Sequence, residues 1–508
     1  MLSKATSMSE NAWFVPQSSV QCTVEPEARE ALAKALGAAS SDETKRADVQ
    51  RRFRFLDPAF VRDDRGRRPS HPEYDERTCS IPAELKLSAS QRQYWEIKSK
   101  YRDVVLFFKV GKFYELYEDD AEIGCRELDW KMTVSGVGHC RQVGCPEAGV
   151  DAACARLVQL GHKVGRIEQL ETAAQAKARG GSGAVIRRAL AEVATPATRT
   201  DGDVGDDAVA APDATHILAF AEEEDEEVPE DDEKGEKDTE VGTKEDAALV
   251  RVGSRTVGYS FLDAAAGSIH LGVLPPDDEH GTALATLLAQ VSPAEVLVRR
   301  GRVSDVARRE LVKCAAKPRV TALTAGEEFP VGAATADRAL GRASGPPTGP
   351  PAGPSSTWRW ASSATVAGAR PVARACAAAV VAHLSRLNCA PIVAGLEAST
   401  RPHDVYAHGR VRVDASTMAN LELVLGAEST PEGSLLRRIS FGCVTDAGRR
   451  TLRRWIAAPL LDVGTIRERQ DAVWATVDRG GVAAEAVETA TRGLRGGADL
   501  ERAVGRAR

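Results

Sequence analysis

The sequence predicts an α/β multidomain protein: a mixed α/β unit, a second α/β unit and a mainly α-helical third part. Three patterns carry this reading. Strand-like and helix-like segments alternate from about residue 104 to residue 200, they alternate again from 216 to 298, and helical periodicity takes over beyond 370. A chain of 508 residues has room for roughly three or four domains. Its 43% apolar content lets each of them bury a core.

Residues 1–50 are expected to be a disordered N-terminal segment, and 51–90 an extended arm packed by Phe53, Phe55, Leu56 and Phe60. The first α/β unit is placed at 91–200. Gln91–Lys100 reads as a short helix leading into Val104–Val110, a β-branched and aromatic run of strand length. Gly111 supplies a permissive backbone at a turn, and Phe113–Tyr117 continues as a second strand. Asp119–Glu127 is a helix with acids in its first turn, where the helix dipole favours them. Lys131–Val137 is a strand, Val150–Leu160 an amphipathic helix closed by Gly161, and Lys163–Ile167 a strand.

The second unit is placed at 201–340. Its strands are His216–Phe220, Arg255–Asp263, Ser268–Val273 and Glu295–Val298, with an amphipathic helix at Thr282–Gln290. An acidic insert, 221–247, splits the first hairpin and is expected to be disordered. Residues 222–246 hold 15 acids and three lysines, so this run contributes −12 to a net charge of −6 and the rest of the chain is +6. A mildly basic body permits nucleic-acid binding without demonstrating it. Residues 341–369, rich in Pro and Gly, read as a linker. Helical periodicity at 370–390, 416–425, 433–457 and 465–478 makes 370–508 mainly helical.

No apolar run approaches the ~20 residues needed to span a bilayer, so no membrane partner is expected. Met1–Gln21 lacks a basic-then-apolar signal pattern. Cys125, Cys140, Cys145 and Cys154 with His139 come nearest to a metal set, yet their spacings of 15, 5 and 9 include no C-x2-4-C knuckle. The expectation is reduced, mostly buried thiols, no metal, and a cytosolic or nuclear compartment.

The stretch 104–117 holds the candidate site. Along a strand, side chains alternate, so Phe113, Glu115 and Tyr117 share one face while Tyr114 and Leu116 share the other. A large ring and a carboxylate then point the same way.

Several segments together resemble the MutS family, in the form of its eukaryotic sixth homologue and the green-plant version of it. Arg54-Phe55-Leu56-Asp57-Pro58, the run Arg67–Asp75 and Gln93–Ser99 are similar to the entry of that family's mismatch-binding domain. Gly111-Lys112-Phe113-Tyr114-Glu115-Leu116-Tyr117 matches its Phe-x-Glu element, and Lys131–Gly138 and Gly165–Thr172 resemble the same domain. Leu287–Gln290 and Pro293–Leu297 resemble the RNase H-like α/β connector domain. Gly433–Leu436, Gly448–Trp455 with Ala458-Pro459-Leu460, and Arg469–Val473 resemble the mainly α-helical core and lever, present in part.

The resemblance implies that Phe113 stacks on a mispaired base while Glu115 hydrogen-bonds it, with Lys112, Tyr114 and Lys109 as further DNA-contacting candidates. It also implies mismatched duplex DNA, a second MutS homologue as heterodimer partner and MutL-type proteins as partners, in the nucleus. In the family, ATP and magnesium act in a P-loop domain. No G-x-x-x-x-G-K-[ST] occurs in these 508 residues; their one Gly-Lys pair, Gly111-Lys112, is followed by Phe113. A Gln-x-x-hydrophobic-x-x-aromatic-aromatic tether is likewise missing from residues 1–50. The chain is thus expected to be a C-terminally short version, a fragment or an incomplete gene model, with no catalytic residue and no cofactor of its own.

Taken by themselves, Phe113 and Glu115 are better explained as a half-buried strand with one core ring and one solvated acid; the flanking match reverses that. Arg437, Arg438, Arg449, Arg450, Arg453 and Arg454 form a basic cluster on predicted helices that fits either a duplex-tracking face or, as the better explanation of their i, i+4 spacings, an ordinary solvated lever surface. Asp263 does not make a nuclease, which needs converging carboxylates. The rival expectation is a non-reading structural protein that keeps only connector contacts to repair partners.

Overall fold

The computed structural model describes residues 53–198 apart from 86, 135–139 and 182, together with 216–224, 255–341 apart from 265, 359–398, 409–477, 482–495 and 500. The expected disorder of 1–50 and of most of the acidic insert lies outside these residues. Two compact units divide the chain at Asp57 and Pro58. Of the first, Phe53–Asp57 are described: Arg54–Leu56 form one 3-10 turn, and the Phe53 and Phe55 rings lie 6.1 Å apart.

The second unit opens on the arm, 58–85. A carboxylate organises it, which the aromatic reading overlooked. Buried Asp63 accepts from the backbone N–H groups of Arg65, Arg67 and Asp75 and from Arg67 Nε, at 2.7–3.1 Å, while Phe60 is exposed. Asp75 and Arg77 then join Arg300 and Glu328, at 2.5–3.0 Å. Burial alone would raise the Asp75 carboxyl, but Arg77 and Arg300 hold it well below the usual range.

The first sheet has six strands in the order β3-β4-β2-β1-β5-β6: β1 (Val104–Val110), β2 (Phe113–Tyr117), β3 (Thr133–Val134), β4 (Arg141–Pro146), β5 (Lys163–Gln169) and β6 (Arg188–Ala194). Only β1 and β5 run parallel. Helices α1 (Ala89–Lys98), α2 (Asp119–Leu128), α3 (Val150–Gln159) and α4 (Ala173–Gly180) accompany it. Ser88 and Gln91 form a capping box that starts α1, and Gly161 at φ +89° follows α3. Val105, Phe107, Tyr114, Leu116, Val143, Leu157 and Val164 make one continuous core on the α3 side. Each such buried side chain contributes about 1.5–3 kcal/mol.

The second sheet has the order β11-β10-β7-β8-β9-β12. Its strands are β7 (His216–Glu224), β8 (Arg255–Asp263), β9 (Ser268–Val273), β10 (Pro293–Arg299), β11 (Arg319–Leu323) and β12 (Glu397–Ala398). Strand β7 reaches Glu224, which pairs with Arg255, so the first residues assigned to the insert, from 221, are hairpin. Helices α5 (Thr282–Val291) and α6 (Asp305–Lys313) cover one face; α7 (Ala333–Ala339) and α8 (Ala364–Gly368) follow before the next long helix.

That helix, α9 (Pro371–Arg386), corrects the domain reading. Grouped by periodicity with the C-terminal helices, it instead lies on β7, β8 and β9, and Ala398 of β12 pairs with Ile269 of β9. Eleven of its residues are buried. The seam is tight at Gly258, where a Cβ would stand 2.6 Å from both methyls of Val372 and 2.9 Å from its carbonyl carbon. Gly258→Ala is expected to cost about 1–3 kcal/mol; an unchanged urea midpoint would show that helix and sheet part cheaply.

Beyond α10 (Ala390–Ala394) the chain is helical: α11 (Ala415–Asn420), α12 (Leu435–Ile439), α13 (Asp446–Ala457), α14 (Val463–Val477) and α15 (Val482–Leu494). A small core of Val413, Met418, Val424, Leu436 and Ala457 holds its first part.

Candidate nucleic-acid interface

The β1–β2 hairpin carries the site. Its turn is Gly111-Lys112, with Val110 opposite Phe113. Gly111 sits at φ +63°, a left-handed conformation that favours glycine. The Lys112 carbonyl accepts from Glu147 N–H at 2.9 Å, fastening the turn to the segment before α3. Strand β2 is hydrogen-bonded to β1 on one side and β4 on the other, which locks its register and therefore its faces.

Phe113, Glu115 and Tyr117 lie on one face, but helix α1 covers only part of it. Tyr94 of α1 packs edge-on against Tyr117 and Phe108, with ring centroids 4.8 and 5.8 Å away. Tyr117 and Phe108 thereby become core, Glu115 is half-buried, and Phe113 keeps 52% of its surface exposed. Across the ladder, Gly144 stands opposite Glu115. A Cβ there would meet the Tyr114 carbonyl oxygen at 2.7 Å and Glu115 Cγ at 3.4 Å, so glycine keeps that flank of the carboxylate open.

Glu115 is held rather than loose. The Tyr117 hydroxyl donates to Glu115 Oε2 at 2.5 Å, and Oε1 has no hydrogen bond among the described residues. Arg188 opens β6 and comes to the same face. Its guanidinium lies 4.9 Å from the Phe108 ring centroid, its Nε donates to the Lys109 carbonyl at 2.7 Å, and its charge acts on Tyr117 and Glu115. Burial shifts the Arg188 guanidinium downward.

The other candidates divide. Lys112 is exposed at the turn, without an ion pair among the described residues. Tyr114 is fully buried on the opposite face; its hydroxyl donates to Glu168 at 2.6 Å and accepts from Arg166 at 3.3 Å. Lys109, in register with Tyr114, pairs with Glu147 at 2.8 Å and Glu168 at 3.2 Å. Its ammonium is pushed up first by Glu147. Tyr114 and Lys109 thus fasten the sheet, and their polar ends are spent on protein partners.

The arginine cluster also divides. Arg450 and Arg453 are buried in α13, with Arg453 reaching the Ser292 hydroxyl, and Arg449 pairs with Asp446 at 3.6 Å. Only Arg437, Arg438 and Arg454 belong to the exposed surface expected for all six. Among the described residues no group of three His, Cys, Asp or Glu converges to hold a metal ion, and the cysteines are free thiols. Sequence reasoning placed Tyr117 on the right face but gave it no role; the i, i+2 spacing from Glu115 was the available signal. Arg188 had none, being 73 positions from Glu115.

Two six-stranded α/β sheets followed by a helical part, with a protruding ring beside a tethered carboxylate, define a multidomain α/β protein. Residues 88–203 match the family model MutS domain I and residues 416–508 match MutS domain III. The chain carries these two domains of the MutS family. It is similar to DNA mismatch repair protein MSH7 of Arabidopsis thaliana, 39% identical over 467 residues, which covers 91% of this chain and 38% of that protein. It is 28% identical to DNA mismatch repair protein MSH6 of Saccharomyces cerevisiae over 415 residues, 81% of this chain and 32% of that protein. It is 30% identical to DNA mismatch repair protein MutS of Rhodopseudomonas palustris over 432 residues, 84% of this chain and 40% of that protein. The chain therefore spans two fifths or less of the length of these relatives.

Proposed function

We propose that this chain recognises mispaired duplex DNA from the minor groove, with Phe113 as the wedge and Glu115 as the acceptor for a base N–H. The observation that carries the reading is the half-exposed Phe113 ring at the end of a rigid hairpin, with Glu115 on its face. Inserting an apolar ring costs a few kcal/mol of unstacking and kinks the duplex. Stacking on the exposed base returns ~1–3 kcal/mol. For a paired base these roughly cancel; a mismatch has already lost pairing and stiffness, so binding prevails there.

In this reading the chain is a eukaryotic mismatch-reading subunit of the plant-like type, supported by 39% identity to the Arabidopsis MSH7 protein against 29% to the Arabidopsis MSH6 protein. The second sheet serves as an RNase H-like connector. Its strand order supports this, with β9-β8-β7 antiparallel and β10 and β11 parallel beyond them. The partners are a second MutS homologue and MutL-type proteins, in the nucleus. Reading itself uses no cofactor; ATP and magnesium belong to a P-loop domain whose motif these 508 residues do not contain.

The test is the affinity of the full chain for a G·T duplex and for its matched control at fixed salt. Glu115→Gln removes a negative charge that faces phosphates, so both affinities hold or rise. The mismatch preference narrows about 3-fold or more, because the amide is a poorer partner for a base N–H. Equal losses on both duplexes would count against Glu115 as a reader. No preference in the unsubstituted chain would leave the structural, non-reading alternative.

A further inference from the structure

We infer that Tyr117 is a positioning residue for Glu115: its hydroxyl anchors Oε2 and leaves Oε1 available to whatever docks against Phe113. The inference rests on the reading of Phe113 and Glu115 given above and adds the device that makes Glu115 a defined acceptor.

The geometry is a relay of fixed groups. Asp120, buried, accepts from the Tyr94 hydroxyl at 2.8 Å. The Tyr94 ring, itself fully buried, packs edge-on against Tyr117 at 4.8 Å, and Phe108 lies 6.1 Å from Tyr117 on the same face. Tyr117 is only 4% exposed, so its ring has one orientation, and its hydroxyl meets the carboxylate at 2.5 Å. A glutamate side chain on an open strand would sample several rotamers and be drawn to a nearby cation, here Arg188 across the face. Held by one oxygen, it presents the other along a set direction, which is what discrimination by a single hydrogen bond requires.

The donor role is secure. Burial and the adjacent Glu115 carboxylate both push the Tyr117 phenol far above the range in which it would ionise, so the hydroxyl keeps its proton. Phenylalanine would fill the same space and keep the ring contacts, so the hydroxyl can be removed without disturbing the relay beneath it.

The experiment is a double-mutant cycle on the full chain, with Tyr117→Phe, Glu115→Ala and the pair. It reads the ratio of G·T to matched affinity, with the thermal midpoint as a check on folding. Tyr117→Phe is expected to reduce the ratio about 5-fold, leave matched-duplex affinity within about 2-fold, and cause no further loss in the Glu115→Ala background. A ratio unchanged by Tyr117→Phe while Glu115→Ala lowers it overturns the positioning role and leaves the reading intact. An equal drop in both backgrounds also overturns it, since Tyr117 would then act through packing. If neither Glu115→Ala nor Phe113→Ala moves the ratio, the reading itself falls, and the inference with it.

Discussion

Asp120→Ala is expected to lower the unfolding free energy by about 3–5 kcal/mol, read as a large fall in the urea midpoint. The reason is that one carboxylate fastens three elements. Its Oδ1 accepts from Lys98 Nζ of α1 at 2.7 Å, and its Oδ2 from Tyr94 of α1 at 2.8 Å and from the Leu106 N–H of β1 at 3.0 Å. Lys98 is buried too and has one further acceptor, the Val104 carbonyl at 2.6 Å. Removing the acid strands a buried ammonium, and a lone buried charge costs more than the pair contributes. Lys98→Met combined with Asp120→Leu should therefore recover much of the loss. A midpoint unmoved by Asp120→Ala would show that α1 is held by its aromatic contacts alone.

Phe113→Ala should do the opposite, sparing the fold and removing the preference. The ring is half-exposed and lies outside the buried core, so stability should change by no more than about 0.5 kcal/mol. Loss of ~1–3 kcal/mol of stacking corresponds to roughly 5- to 150-fold weaker binding to a G·T duplex. The matched duplex, which gains little from the wedge, should be nearly unaffected. Fluorescence anisotropy at constant ionic strength measures this, because phosphate contacts make every affinity salt-dependent. Equal weakening on both duplexes would make Phe113 a general contact rather than a reader.

The legible parts of this fold are those specified locally. Strands Arg255–Asp263 and Ser268–Val273 emerge residue for residue, since β-branched and aromatic runs bounded by small or polar residues leave little choice. The strand β6 and the helix α6 escaped notice. In β6 only Val193 is buried, so it shows no two-residue alternation, whereas α6 is a short helix whose start is marked in the sequence by Gly301, at φ +69°, and by the N-cap Ser304. Helix α9 was legible as a helix but not as a neighbour. Ala, Val and Cys surround its axis, so periodicity could not say which sheet it covers. Gly258 decides that from 114 positions away from Val372, by offering a groove only a glycine leaves.

At the site, the order of strand, turn and strand and the common face of Phe113, Glu115 and Tyr117 are readable from the residues alone. Both follow from the two-residue repeat of a strand, which is local. Tertiary structure alone decided that Tyr94 buries Tyr117 yet leaves Phe113 exposed, that Glu115 is tethered by one oxygen, and that Tyr114 and Lys109 are spent on Glu168 and Glu147. Alternation assigns a side chain to a face. Whether that face meets solvent, a ring or a counter-charge depends on which distant segment packs against it, and that choice belongs to the whole core.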